Sequence, residues 1–193
     1  MLWGFGLAGG HVVRVAGDRP VAAAVAVASV LDGRRFLAGR SPRDLGGGAV
    51  AAVRDRLGSV VGRSHEVPVA GGPGEFGALP PSLASAYLDC VPPESEWRNA
   101  TPARALLSLP RYRPGADADD VTCPALLVAG RDDALAPAAA VDRAAERMAD
   151  ATFLRLPGDH FDPFSGPAFE EALAHQLAFL DRVVGLDDPR AGT

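Results

Sequence analysis

The residues of this chain best suited to chemistry are an aspartate and a histidine in successive loops. Asp133 lies in Gly130-Arg131-Asp132-Asp133-Ala134-Leu135-Ala136-Pro137, after the apolar run Pro124–Ala129. His160 lies in Gly158-Asp159-His160-Phe161-Asp162, after the apolar run Thr152–Leu156. Imidazole gains and loses a proton near neutral pH. A carboxylate that accepts one ring N–H fixes the tautomer and stabilises the cation formed when the other nitrogen takes a proton. A third loop, Gly4-Phe5-Gly6-Leu7-Ala8-Gly9, joins a short strand to a helix, where a sharp turn could present a nucleophile. Position 6 is Gly, which cannot attack a carbonyl, and no residue from Phe5 to Gly10 can replace it.

Three strand ends must converge for these loops to meet. Val21–Ser29 is a continuous Val-rich apolar run, which predicts a strand buried on both faces of a parallel sheet. The runs ending at Ala129 and Leu156 are two more strands. Helices are expected over His11–Ala16, over Pro137 to about Met148, and over Phe164–Val184. In the last of these, Phe169, Leu173, Leu177, Leu180 and Val184 recur at helical spacing. Strand–helix alternation implies an α/β fold with a parallel sheet of about four strands and its loops at the carboxyl edge. Residues 32–120 break the regularity with Gly46-Gly47-Gly48, Pro73-Gly74, Pro80-Pro81, Pro92-Pro93 and Pro110. They read as a lid-like insertion with short helical pieces near Ala49–Leu57, Ser82–Tyr87 and Pro102–Leu107. Residues 187–193 read as a flexible tail of a single domain spanning 1–193.

Composition excludes several functions. The 193 residues carry 19 basic groups, all Arg, against 24 acidic ones, for a net charge of −5. The Arg are spread along the chain, so no nucleic-acid surface is expected. The longest apolar run, Val21–Val30, is too short to span a bilayer, and no membrane partner is expected from it. The start lacks the pattern of a secretory signal. Cys90 and Cys123 lack metal-ligand spacing, which suggests free thiols and a cytoplasmic setting. The heavy use of Ala, Gly and Arg without Lys or Ile looks like a GC-rich bacterial genome.

With these residues in place, the chain resembles the α/β-hydrolase superfamily, particularly its dienelactone-hydrolase-like and acyl-peptidase-like esterases. Leu2-Trp3-Gly4-Phe5-Gly6-Leu7-Ala8-Gly9-Gly10-His11 resembles their nucleophile elbow. Gly130, Asp133 and Pro137 match a strand-end Gly-x-x-Asp-x-x-x-Pro, and His160-Phe161-Asp162 matches the motif before their last helix. The middle segment, Pro73-Gly74-Glu75, Trp97-Arg98-Asn99 and Tyr112-Arg113-Pro114, also resembles this group. The order of elbow, acid and histidine is that of the superfamily. The resemblance implies hydrolysis of a carboxylic ester, thioester or amide through an acyl-enzyme, with His160 as base and Asp133 as its partner. Position 6 would be the nucleophile, and the N–H of Leu7 would form half of the oxyanion hole. No metal or organic cofactor is implied.

Two departures follow. Gly6 makes the triad degenerate, which predicts an inactive protein. The chain also begins at the elbow strand, so the sheet is expected to be incomplete at its N-terminal side, as in a fragment. Its exposed edge would permit self-association. Asp32, after the Val21–Ser29 run, is an alternative acid or a local cap. Ser29 and Cys90 are weaker alternatives for the nucleophile, and Arg131 for a contact to a substrate carboxylate. His11 is expected to pack behind the elbow helix, and Trp97 and Tyr112 to pack within the insertion. The competing function is non-hydrolytic: Asp133 and His160 as an acid–base pair in a cyclase- or isomerase-type reaction, or a pocket that binds a small molecule.

Overall fold

The computed structural model describes residues 1–185; the tail expected over 187–193 lies outside the described residues. In chain order the elements are β1 (Leu2–Phe5), α1 (Leu7–Asp18), β2 (Ala24–Val27), α2 (Pro42–Ser59), β3 (Glu66–Val67) and α3 (Pro81–Asp89). There follow β4 (Thr101–Pro102), β5 (Ala125–Gly130), α4 (Ala138–Ala145), β6 (Ala151–Leu156), α5 (Asp162–Ser165) and α6 (Phe169–Val184). Short 3₁₀ turns cover Gly33–Leu37, Ala103–Leu107, Leu109–Arg111 and Pro114–Asp120. The fold is α/β. No described helix is long and apolar enough to cross a membrane.

The chain forms two compact units. The first comprises residues 1–31 with 113–193 and contains a four-stranded sheet in the order β1-β2-β5-β6, every pair parallel. Alternation along the strands divides its core. Ala24, Ala26 and Leu127 pack with Val12, Val13 and Ala16 of α1 and with Val141, Ala144 and Ala145 of α4. Val25, Val27, Leu126 and Val128 pack on the opposite face with Ala172 and Phe179 of α6. Both faces of the sheet are thus covered, as continuous apolar strands require. Among the described residues β1 pairs on one side only.

Two helix expectations need correction. The continuous helix read over Phe164–Val184 is broken, because Pro167 follows Gly166 and holds that residue extended, at φ −100° and ψ −165°. The inward face of α6 is also rotated from the expected stripe. Phe169 and Leu177 are exposed, whereas Ala172, Gln176 and Phe179 are buried. Gln176 turns inward because its Oε1 accepts the indole N–H of Trp3 at 2.6 Å.

The second unit is Asp32–Tyr112. Residues 114–120 belong with the first unit. Arg147 donates to the carbonyl of Gly115 at 2.8 Å and to Asp119 Oδ1 at 2.9 Å, and Arg14 reaches Asp117 at 3.2 Å. Besides the helical pieces expected there, this unit contains the two-residue antiparallel ladder of β3 with β4. Helix α2 is longer than its expected core. Ser41 caps it by accepting the N–H of Asp44 at 3.1 Å, and Pro42 occupies the first turn. The buried centre of this unit is Asp55. Its carboxylate accepts N–H groups of His65 (2.7 Å) and Arg104 (2.8 Å), and the Arg104 guanidinium lies 3.1 Å away. These bonds pin α2 to the β3 and β4 segments.

Candidate functional site

All four strands of the sheet end on one edge, since they are parallel. Their registers bring Phe5 level with Val27, Val27 with Val128, and Gly130 with Leu156. The loops after β1, β5 and β6 therefore share that edge, where open parallel sheets place their sites.

Gly6 forms the turn from β1 into α1. Its backbone sits at φ +58° and ψ −119°, a conformation that side chains tolerate poorly. Three bonds hold it there. Its N–H donates to the Val27 carbonyl at 2.9 Å, and its own carbonyl accepts from Val30 at 3.0 Å and Gly10 at 3.3 Å. A Cβ built on Gly6 would stand 3.4 Å from Nε2 of His160, an ordinary van der Waals contact. Leu7 opens α1, so its amide belongs to the helix terminus with the positive end of the dipole.

Asp133 and His160 are only 4% and 3% exposed. The ring Nδ1 of His160 lies 2.7 Å from Asp133 Oδ2. The other carboxylate oxygen, Oδ1, accepts the N–H groups of Leu135 (2.8 Å) and Ala136 (2.7 Å). Both carboxylate oxygens are thus engaged. A carboxylate can only accept, so an ionised Asp133 would receive the Nδ1 proton and leave Nε2, which is directed to Gly6, as the acceptor.

Three residues support the histidine, of which the sequence showed Phe161 and Gly130 only as motif positions. The ring of Phe5 lies 5.2 Å from that of His160, and Phe161 meets it edge-on at 4.9 Å. The signal was present in Phe5, the one large residue between Gly4 and Gly6. Gly130 is the third support. A Cβ there would come within 2.3 Å of the Asp159 carbonyl, so β5 can approach the histidine loop only with glycine at this position.

The remaining candidates lie elsewhere. Asp32 caps its own 3₁₀ turn by accepting the N–H of Arg34 at 3.0 Å, and it pairs with the Arg34 guanidinium. It belongs to the second unit. Ser29 is fully buried behind the elbow, with its Oγ against Gly9 of α1, where a Cβ would approach to 2.6 Å. No acyl group can reach it there. Cys90, at the end of α3, donates to the Ala86 carbonyl, and neither Cys90 nor Cys123 is in a disulfide among the described residues. His11 is exposed on α1 and does not pack behind it; Arg131 is exposed too. Trp97 stacks edge-on with Tyr87 within the insertion. Among the described residues no cluster of His, Cys, Asp or Glu is placed to hold a metal ion.

Comparison with solved structures decides the fold. GrgF from Penicillium sp. sh18, an α/β-hydrolase, superposes with a TM-score of 0.72 at 22% identity over 94% of this chain and 63% of its own. The fold is that of the α/β-hydrolases. The monoacylglycerol lipase of Paleococcus ferrophilus, with a TM-score of 0.61 at 21% identity, covers 91% of the chain and 66% of its own length. Among curated proteins, the quorum-quenching protein AidA of Acinetobacter baumannii (strain MDR-ZJ06) is 29% identical over 187 residues. That match covers 95% of this chain and 62% of AidA, so the chain spans about three fifths of this relative. No family model matches. Within the α/β-hydrolase fold, Gly6 stands at the turn between a sheet strand and the following helix, and His160 follows the last described strand.

Proposed function

We propose that this chain is an acyl-hydrolase scaffold of the α/β-hydrolase type whose serine position is glycine, and that it does not hydrolyse esters, thioesters or amides through an acyl-enzyme. The observation that carries this reading is the alignment of Gly6, His160 and Asp133. A hydroxyl borne on position 6 would face Nε2 of His160. It would lose its proton to that nitrogen as its oxygen bonded the substrate carbonyl. The proton would then pass to the leaving group, and water would release the acyl group by the same steps. Asp133 would hold Nδ1 throughout, and the Leu7 N–H would meet the developing oxyanion. Without the hydroxyl the covalent step is lost, at a cost of about 10⁶ in turnover in comparable enzymes. The ligand is a small molecule bearing a carboxylic ester, thioester or amide.

The test is a fluorophosphonate probe applied to the unaltered protein and to Gly6→Ser. Labelling of the serine variant alone agrees with the proposal; labelling of the unaltered chain overturns it. A second reading draws on the same geometry. With glycine at position 6, Nε2 of His160 can serve as a general base directly on a bound ligand, in a cyclisation or isomerisation. Any turnover that survives His160→Ala would exclude it.

A further inference from the structure

The outward face of α2 is apolar. Val50, Val53 and Leu57 follow at helical spacing, and Val60 and Val61 extend the ridge beyond the last turn. Val50 is 69% exposed, Leu57 68% and Val60 84%. The inward face is formed by Gly48, Ala52 and Asp55, so α2 is already seated on its own unit through the other side. A surface helix ordinarily turns polar residues outward. This one presents an aliphatic ridge about 15 Å long from Val50 to Val60.

The charges beside the ridge all have one sign. Arg43, Arg54, Arg56 and Arg63 are exposed, and none has an ion-pair partner among the described residues. The two acidic residues of α2 are turned away or occupied. Asp55 is buried on Arg104, and Asp44 accepts from Ser41. Two copies of this face would set Arg against Arg with no carboxylate between them. The ridge also lacks the aromatic anchors that dominate protein–protein contacts. A convex aliphatic ridge flanked by cations fits instead the boundary of an anionic lipid layer, where side chains enter the acyl region and guanidinium groups meet phosphates.

We infer that α2 docks the protein on an anionic lipid surface. This surface contact needs no spanning segment. It is independent of the chemistry at Gly6.

The test is co-sedimentation of the full chain with phosphatidylcholine vesicles containing about 30 mol % phosphatidylglycerol, beside vesicles of phosphatidylcholine alone. Binding to the anionic vesicles that weakens with salt is expected. Val53→Glu with Leu57→Glu should abolish it. Arg54→Gln with Arg56→Gln should weaken it about 25-fold, roughly five-fold for each Arg. Should the glutamate variant lose its circular dichroism signal, the arginine variant decides. Equal binding to both vesicles, no binding by folded protein, unchanged binding in the arginine variant, or a dimer that Leu57→Glu dissociates would each overturn the inference.

Discussion

A Cβ on Gly6 would lie 3.4 Å from Nε2 of His160, while Nδ1 of the same ring lies 2.7 Å from Asp133. The histidine is therefore oriented on one side by a buried carboxylate and directed on the other at a residue without a side chain. Gly6→Ser should confer hydrolysis of short p-nitrophenyl esters, at least about 10³-fold above the unaltered protein. The φ of +58° strains any L side chain, so the variant should also lose about 1–2 kcal/mol of stability. An ester assay and a denaturant titration check the two halves separately. An inactive but folded serine variant would sink the proposed alignment.

Asp133 is expected to act through the tautomer of His160. With asparagine in place of Asp133, the side-chain oxygen could keep the N–H groups of Leu135 and Ala136, but the amide nitrogen would face Nδ1 and reverse the tautomer. Asp133→Asn in the Gly6→Ser background should thus cost about 10⁴ in kcat while leaving the unfolding midpoint nearly unchanged. Asp32→Asn in the same background should leave kcat unaltered, because Asp32 is engaged with Arg34. Reversal of that order would reassign the acid.

Gly130 is expected to be required for steric reasons. A methyl group there would meet the backbone of Asp159 at 2.3 Å. Gly130→Ala should destabilise the protein by about 1–3 kcal/mol. In the Gly6→Ser background it should lower activity beyond that loss, because the loop that moves carries His160. Activity measured well below the unfolding midpoint separates displacement from unfolding.

Asp55 should govern the acid stability of residues 32–112. The N–H of His65 holds its carboxyl below the ordinary carboxylate range, and the N–H and guanidinium of Arg104 add to this; burial opposes them. Because the folded value is depressed, the stabilisation is present above the unfolded value of about 3.9 and is lost as pH falls through the lower folded value. Circular dichroism from pH 7 downward should show stability falling below about pH 4. Asp55→Asn should be less stable at neutral pH and should flatten that dependence. An equally steep acid limb in Asp55→Asn would move its origin to other carboxylates.

Local pattern determined the apolar strands, the helices after Gly6 and Pro137, and the loops that carry Asp133 and His160. Each depends on neighbours in sequence: a Val-rich run, a Pro in a first turn, a Gly after a strand. The resemblance to α/β-hydrolases rested on the same short motifs, and the fold agrees with it. Contacts between distant segments were not legible. The bond from His160 to Asp133 depends on parallel registers that level Gly130 with Leu156, and the need for glycine at 130 appears only once Asp159 crosses it. Nothing in the sequence around Asp55 marks it for burial, because its partners His65 and Arg104 reach it only on folding. The inward face of α6 was misread because Trp3, far away in sequence, draws Gln176 inside. Periodicity reports that a residue can be buried, and only the packed partner decides which side of a helix is.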